Sequence, residues 1–534
     1  MRIDHFIKNG IRTLWTQGVT IAMVRAAEKI RLVVRNHQIR NCGPSFASAK
    51  RLKSQKSFVF DKKITVSLLT PLYNTPEYFL KDMIESVLAQ TYPYWELCMA
   101  DGSDEAHAYI GDVCREYARM YDCIRYEKLP CNLGISGNTN ACVQLAHGEY
   151  FGVLDHDDIL HPCALYETVE AVLEHDADFV YTDEAKFDRS PDKPFDPHCK
   201  PEFTMHELCS RNFICHFNIF SRELYVAAGP YESTFDGSQD HDMALRLTEK
   251  AHCIVHVPQI LYFWRVHSGS VAAGIEAKSY AVEAGKKAVL AHVHRSGENG
   301  TVESIPPFAS MYRVRYVLKG HPLVSILLHG QADAASILSL WEKTAYPQFE
   351  ILRLELDGER TEMDTDHTFT QMPGESRANL FNRVARVAKG EYLLLLDASA
   401  RPLSQDWIEE MLMFAQKHDV GAVGAKLYSR AGRILYAGID AAPGEAPSAV
   451  WRYLGVSRHS YGYNAELAFA RGTDAVDARC LLCKRVDYLE AGGFREETDF
   501  ADVDFCLRQK KKGLVCVWTP FAQICCENRR FQWI

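Results

Sequence analysis

Nowhere near its start does this chain hold an apolar run long enough for a bilayer. The longest uncharged stretch there, Thr13 to Val24, is too short and contains Gln17 and Gly18. Neither a membrane span nor a cleavable leader is expected. A regular cysteine framework is missing too. The 17 cysteines are odd in number and follow no repeating spacing, which points to a reducing compartment rather than to disulfide staples. The lone C-x-x-C, Cys480 and Cys483, has no second pair and sits in an apolar run, so it reads as buried strand and not as a zinc site. An excess of positive charge is also absent: the net charge of −9 argues against nucleic acid as the main partner. Extensive disorder is excluded by 47% hydrophobic and 24% charged residues.

What is present is too much chain for one core, since 534 residues imply two or three domains. Residues 1–63 carry 14 Lys/Arg against 3 Asp/Glu, so a basic arm precedes an acidic body. Ile11, Leu14, Trp15, Val19, Ala22 and Ala26 share one helical stripe. Asn41 to Ser57 reads as a connector. The arm is expected to be a solvated helix or to dock on an anionic membrane face. The expected location is cytoplasmic, with peripheral contact at the inner face of the cytoplasmic membrane.

Strand signals alternate with helical ones from Ile64 onward. Ile64–Leu69 ends at Thr70-Pro71, Trp95–Ala100 runs into Asp101-Gly102-Ser103-Asp104, and Tyr150–Leu154 stops at Asp155-His156-Asp157-Asp158. This alternation implies a mainly parallel sheet covered on both faces. The plan then repeats. Tyr346-Pro347 echoes Tyr92-Pro93, and Lys389-Gly390-Glu391-Tyr392 before Asp397 echoes His147-Gly148-Glu149-Tyr150 before Asp155. Asp502-Val503-Asp504 with Arg508 echoes Asp240-His241-Asp242 with Arg246. Two homologous α/β domains are expected, at 64–300 and 323–534, with 301–322 as linker.

Carboxylates at the carboxyl end of a buried strand are costly unless something compensates their charge. A hard divalent cation would do so and would also bind a diphosphate. The bland alternative is a solvated turn with Asp158 capping the next helix.

Taken together and in order, these stretches resemble glycosyltransferase family 2, with the GT-A fold. The matching segments are Thr70-Pro71-Leu72-Tyr73-Asn74, Ala100-Asp101-Gly102-Ser103, Asn132 to Asn140, Gly148-Glu149-Tyr150, Asp155–Asp158, Gly237-Ser238-Gln239-Asp240 with Asp242 and Arg246, and Trp264-Arg265-Val266-His267. The resemblance covers about Ile64 to Ala273 strongly and Leu323 to Pro520 more weakly. It implies a nucleotide-sugar donor, UDP- or dTDP-linked, and a glycan or lipid-linked acceptor. Pro71 and Tyr73 would lie beside the base, Asp101 would read its ring nitrogen, and Asn132, Asn138, Asp155 and Arg246 would belong to the same donor site. Mn²⁺ or Mg²⁺ would sit at Asp155, Asp157 and His267. Asp240 is the candidate general base of an inverting transfer, because one carboxylate must take the proton of the attacking hydroxyl. No protein acid is needed for a diphosphate leaving group.

Two positions depart from the common family pattern: Ala100 and Gln239 stand where many relatives have acids. The Gln-x-x-Arg-Trp signature of processive synthases is missing. In the second half, Asp397-Ala398-Ser399-Ala400 replaces the acidic cluster, so that domain is expected to bind acceptor or support assembly, the rival being a metal-independent transferase. Rival readings of the whole chain are a sugar nucleotidyltransferase, disfavoured because Thr70–Pro76 is not a Gly-rich basic loop, and a glycan- or nucleotide-binding scaffold without catalysis.

Overall fold

A computed structural model describes residues 42–267, 279–330, 334–355, 368–442, 448–496, 498 and 500–527. The stripe-bearing arm before residue 42 lies outside them. The chain divides into two compact units with their boundary around residues 299–313; they are called the first and second domain below.

The first domain is built on strands β1 (Val66–Leu72), β2 (Trp95–Asp101), β3 (Ile124–Lys128), β4 (Tyr150–Val153), β5 (Ile159–Leu160), β6 (Phe179–Phe187), β7 (Phe195–His198), β8 (Asn218–Ser221) and β9 (Ile254–Arg265). Their order in one sheet is β3-β2-β1-β4-β8-β6-β9-β5, with β7 on β6. The pairs among β3, β2, β1 and β4 are parallel, and β8 runs antiparallel to both its neighbours. β1 is buried along its whole length, as a strand covered on both faces must be. The helix Glu77–Leu88 places Leu80, Met83, Ile84 and Val87 in the same core as Val66, Leu68 and Leu72, through a helical stripe. Each such side chain, fully buried, contributes about 1.5–3 kcal/mol.

β1 does not end at Thr70-Pro71 as the sequence suggests; it continues through Pro71 to Leu72. The reason is register. β4 pairs with β1 only as far as Leu69, and the Leu69 carbonyl accepts from Leu154. Alternation turns the missing N–H of Pro71 to that same side, where no strand remains to need it. A second correction concerns Asn41 to Ser57. Ala49–Ser57 is a helix capped by the Ser48 side chain. Arg51 and Gln55 on it each donate to Glu167 Oε1 at 2.6 Å, which fixes it against the helix Ala164–His175.

Residues 301–322 are not a plain linker. They contain most of a two-stranded sheet of β10 (Gly300–Ile305) and β11 (Phe308–Tyr316).

The second domain carries β12 (Val324–His329), β13 (Phe349–Glu355), β14 (Thr368–Thr370), β15 (Tyr392–Asp397), β16 (Arg401–Pro402), β17 (Val420–Ser429), β18 (Ile434–Tyr436), β19 (Ile439–Ala442), β20 (Ser448–Trp451), β21 (Arg471–Thr473), β22 (Cys480–Lys484) and β23 (Val515–Cys526). The main sheet runs β14-β13-β12-β15-β22-β17-β23-β16, the plan of the first domain. Cys480 and Cys483 are buried free thiols on β22.

The repeat extends to single hydrogen bonds. Tyr92 Oη donates to Ile64 O at 2.6 Å, and Tyr346 Oη donates to Pro322 O at 2.6 Å. Ser67 and Ser325 donate to Glu96 and Glu350. Arg222 Nε donates to Gly148 O at 2.9 Å, and Arg485 Nε to Gly390 O at 3.0 Å. These contacts give a residue-by-residue correspondence between the domains.

Candidate active site

The acidic cluster follows β4 at the end where parallel strands deliver ligands. Its three carboxylates take different paths. Asp158 turns inward: its oxygens accept from Tyr262 Oη at 2.6 Å and from Arg265 N at 2.7 Å. Burial, with Asp157 and Asp155 beside it, pushes its carboxyl well above the usual range. It locks the turn onto β9 and caps no helix.

Asp157 is 18% exposed and meets His267 Nε2 at 2.9 Å. Its carbonyl accepts from Arg265 Nε, and Arg265 also reaches Asp82 at 3.0 Å. The Arg265 guanidinium lies 4.4 Å and 4.6 Å from the Phe79 and Phe187 ring centres. The Trp264-to-His267 stretch thus fixes the turn from below and places His267 at its rim.

Asp155 goes elsewhere. Its carboxylate, 38% exposed, lies 3.3 Å from His216 Nε2. His216 faces Glu184 on the other side at 3.5 Å, and Glu184 faces Lys200 at 3.5 Å. The His216 ring stacks on Tyr262 at 4.8 Å. Burial opposes its charge, but Asp155 and Glu184 outweigh burial and raise the imidazole well above its ordinary value. Burial would raise the Glu184 carboxyl, yet Lys200, His198 and His216 hold it well below. Asp155 likewise sits below the usual range, through His216 and His156 against burial. The result is an alternating chain of charge, Asp155–His216–Glu184–Lys200, running into the sheet.

Asp240 is the second residue of the helix Gln239–Thr248. Its Oδ2 accepts from Asn212 Nδ2 at 2.8 Å and lies 3.5 Å from Cys215 Sγ. Cys215 and His216 are consecutive, so one dipeptide touches Asp240 with one residue and Asp155 with the next. This brings the candidate base and the acidic turn to one place. Sequence reading missed His216, Asn212, Glu184 and Lys200. The available signal was a charged Glu184 within an apolar strand and a lone His216 before another.

Among the described residues no three His, Cys, Asp or Glu side chains form a metal cage. Asp157 and His267 approach each other, while Asp155 faces His216. A cation that bridges a diphosphate needs only one or two protein ligands, so the pair still fits that role.

Among the donor residues, Pro71 is buried in β1 and Tyr73 is 47% exposed. Asp101 is buried; it accepts from Tyr126 Oη at 2.9 Å and Ser103 N at 2.8 Å, with Lys128 Nζ at 3.4 Å. Asn132 and Asn138 knit the following turn: Asn138 Oδ1 accepts from Leu133 N, and Asn132 Oδ1 accepts from Gly134 N and Asn138 Nδ2, all at 3.0 Å. A Cβ on Gly102 would lie 2.9 Å from Asn138 Nδ2, so glycine lets the Asp101 loop close onto that turn. Arg246, expected at the donor site, is instead a buried brace. It pairs with Asp242 at 2.7 Å and donates to the Ala228 and Gly229 carbonyls. Arg508 repeats this with Asp504, Ala491 and Gly493.

In the second domain, Asp397 stands where the first has Asp155, since Tyr392 pairs with Val324 as Tyr150 pairs with Val66. Its Oδ1 is occupied by Ser399 N and Ser399 Oγ. Arg479 replaces His216 and binds Asp477 at 2.6 Å. Asp502, at the place of Asp240, accepts from the Ala478 and Val503 amides at 2.9 Å and 3.0 Å.

The profile of a family described as Glycosyl transferase family 2 matches residues 67–225. An uncharacterized protein of Sinorhizobium fredii is 34% identical over 86% of this chain and 52% of its own length. The O-antigen biosynthesis protein RfbC of Myxococcus xanthus is 30% identical over 86% of this chain and 37% of its own length. The chain therefore spans about half or less of these curated relatives. Among solved structures, S. aureus TarS 1-349 aligns with a TM-score of 0.34 at 13% identity, over 43% of this chain and 65% of that one.

Proposed function

This chain carries a glycosyl transferase family 2 domain, and on that premise we propose that the first domain transfers a sugar with inversion from a UDP- or dTDP-linked donor to an acceptor hydroxyl. The observation that carries the reading is the shared footing of Asp155 and Asp240 on Cys215-His216. Asp240 takes the proton of the attacking hydroxyl. Asn212 and Cys215 hold its carboxylate at Oδ2 and leave Oδ1 for that proton. Asp157 and His267 would hold a divalent cation, Mn²⁺ or Mg²⁺, whose chemistry would be to offset the negative charge of a diphosphate leaving group. Pro71, Tyr73 and the Asp101 loop receive the nucleotide; Tyr73 supplies an exposed aromatic face.

The product is a growing glycan of the cell-surface kind, free or lipid-linked. The printed role of the Myxococcus xanthus relative, O-antigen biosynthesis, supports that setting. The second domain lacks transfer chemistry and serves the acceptor or the assembly; the internal pairing of Asp397 Oδ1 and of both Asp502 oxygens supports this. No helix among the described residues is long and apolar enough to cross a membrane, so contact with a lipid-linked acceptor falls to the basic arm.

The test is a donor-hydrolysis screen over common nucleotide-sugars with Mn²⁺, using Asp157→Asn as control. Hydrolysis of one donor class, lost in the variant, is the expected result. If no nucleotide-sugar is turned over and none binds with or without metal, the scaffold reading replaces this one.

A further inference from the structure

The second domain has exchanged acid for base inside its sheet. Val180 pairs with Ile219 in the first domain and Val423 with Leu482 in the second, so Lys426 stands where the first domain has Asp183. Lys426 is only 5% exposed. Among the described residues its ammonium donates to one protein acceptor, the Leu467 carbonyl at 2.9 Å, although it carries three donors. Two aromatic rings hold further cations around it. Lys426 Nζ lies 5.8 Å and the Arg471 guanidinium 5.1 Å from the Trp518 ring centre. Lys426 Nζ lies 5.7 Å and the Arg458 guanidinium 5.2 Å from the Tyr428 ring centre.

Arg471 donates to the neutral carbonyls of Glu466, Gly472 and Ala437. Trp518 Nε1 is buried with no hydrogen-bond partner. Among the described residues, no carboxylate forms an ion pair with Lys426 or Arg458. Burial, then Arg458 and Arg471, push the Lys426 ammonium down to about 8. A buried cation without a counter-charge is destabilising unless a ligand supplies one.

We propose that Lys426, Arg458, Arg471 and Trp518 Nε1 form an oxyanion site in the second domain that takes a phosphate group of a ligand. A phosphate offers several acceptor oxygens and up to two negative charges, which matches a cluster rich in donors and positive charge. Arg458 is exposed and gives the approach from solvent. The site does not depend on the catalytic reading of the first domain. Its phosphate could belong to a nucleotide, a lipid-linked diphosphate or the free ion; all three share the chemistry.

The experiment is calorimetric titration of the full chain in EDTA, which removes metal-dependent nucleotide binding from the signal. Pyrophosphate, UDP and a short-chain prenyl diphosphate are the probes, with chloride and glucuronate as controls. Binding of a diphosphate without metal is expected, weakened about tenfold or more by Lys426→Met and by Arg458→Gln. Tighter binding of UDP, of the prenyl compound, or equal binding of all three identifies the source. Arg458→Gln alters an exposed side chain and decides the matter if Lys426→Met does not fold. The proposal is overturned if no diphosphate binds, if glucuronate binds as tightly, or if the variant that folds binds like the parent.

Discussion

The two domains share a scaffold and differ in what stands at the end of their sheets. Tyr92 and Tyr346, Ser67 and Ser325, and Arg222 and Arg485 make the same contacts in each. Yet Asp157 and Asp158 become Ser399 and Ala400, and His216 becomes Arg479. Asp240 rests on two side chains, whereas Asp502 rests on backbone amides. Contacts that hold strands together repeat, because both sheets need them. The groups at the sheet ends diverge together with their partners: Asp158 and its lock on β9, and His216 between Asp155 and Glu184, belong to the first domain.

The largest expected effect breaks this comparison at its centre. Asp240→Asn lowers kcat for sugar transfer by about 10²–10⁴-fold, the range of a positioned general base, while Asp502→Asn leaves kcat unchanged; steady-state transfer assays check both. Comparable losses from the two changes would make the second domain catalytic.

Next comes the buried pair that occupies the His216 region of the second domain. Asp477→Ala strips Arg479 of the carboxylate it holds through two nitrogens at 2.8 Å and 2.6 Å. The second domain should lose about 3–5 kcal/mol, as when one partner of a buried ion pair is removed. Chemical denaturation of the variant reads this directly.

Acid should find the first domain before the second at one matched position. His161 is buried, its Nδ1 accepts from Cys163 N at 3.1 Å, and burial lowers its pKa to about 4. An unfolded histidine titrates near 6.5, so the unfolded state binds the extra proton between these values. The contribution is complete above pH 6.5 and is lost as pH falls toward 4, about 3 kcal/mol in all. The matched second-domain residue is Leu403, whose N–H reaches Gln523 O as that of His161 reaches Leu261 O. His161→Leu should flatten this part of the acid dependence, measured as unfolding midpoints at pH 7 and pH 4.

The smallest effect sharpens the likeness rather than the difference. Tyr92→Phe and Tyr346→Phe each remove a 2.6 Å hydrogen bond to a backbone carbonyl, and Tyr92→Phe also removes the bond its Oη accepts from Ile64 N at 3.0 Å. Each lost bond should cost about 1 kcal/mol. Thermal unfolding of the two single variants should show shifts in the same direction, the larger for Tyr92→Phe.

Much of the scaffold was legible. The apolar runs before Asp155 and Asp397, the Tyr-Pro echoes and the Asp-x-Asp with Arg pattern mark two parallel-sheet domains in order. Asp157, His267 and Asp240 stood out as candidates because polar residues follow strands or open a helix there. Pro71 misled the strand boundary, since sequence does not say that β4 stops early. Arg246 misled the donor site, since a guanidinium that braces a loop looks the same in one dimension as one that waits for a phosphate. The surroundings of His216 and Lys426 were invisible, because strands far away in sequence supply them.

The sequence by itself determined the local part of this protein: which segments are strands, where carboxylates end them, and that the plan occurs twice. Periodicity, proline and charge act over a few residues and are written along the chain. The tertiary structure alone decided which charge faces which, drawing Asp155 to His216 and leaving Asp157 with His267. Burial fixes those choices, because inside a sheet a charge keeps its ionisation only where the fold brings an opposite one within reach.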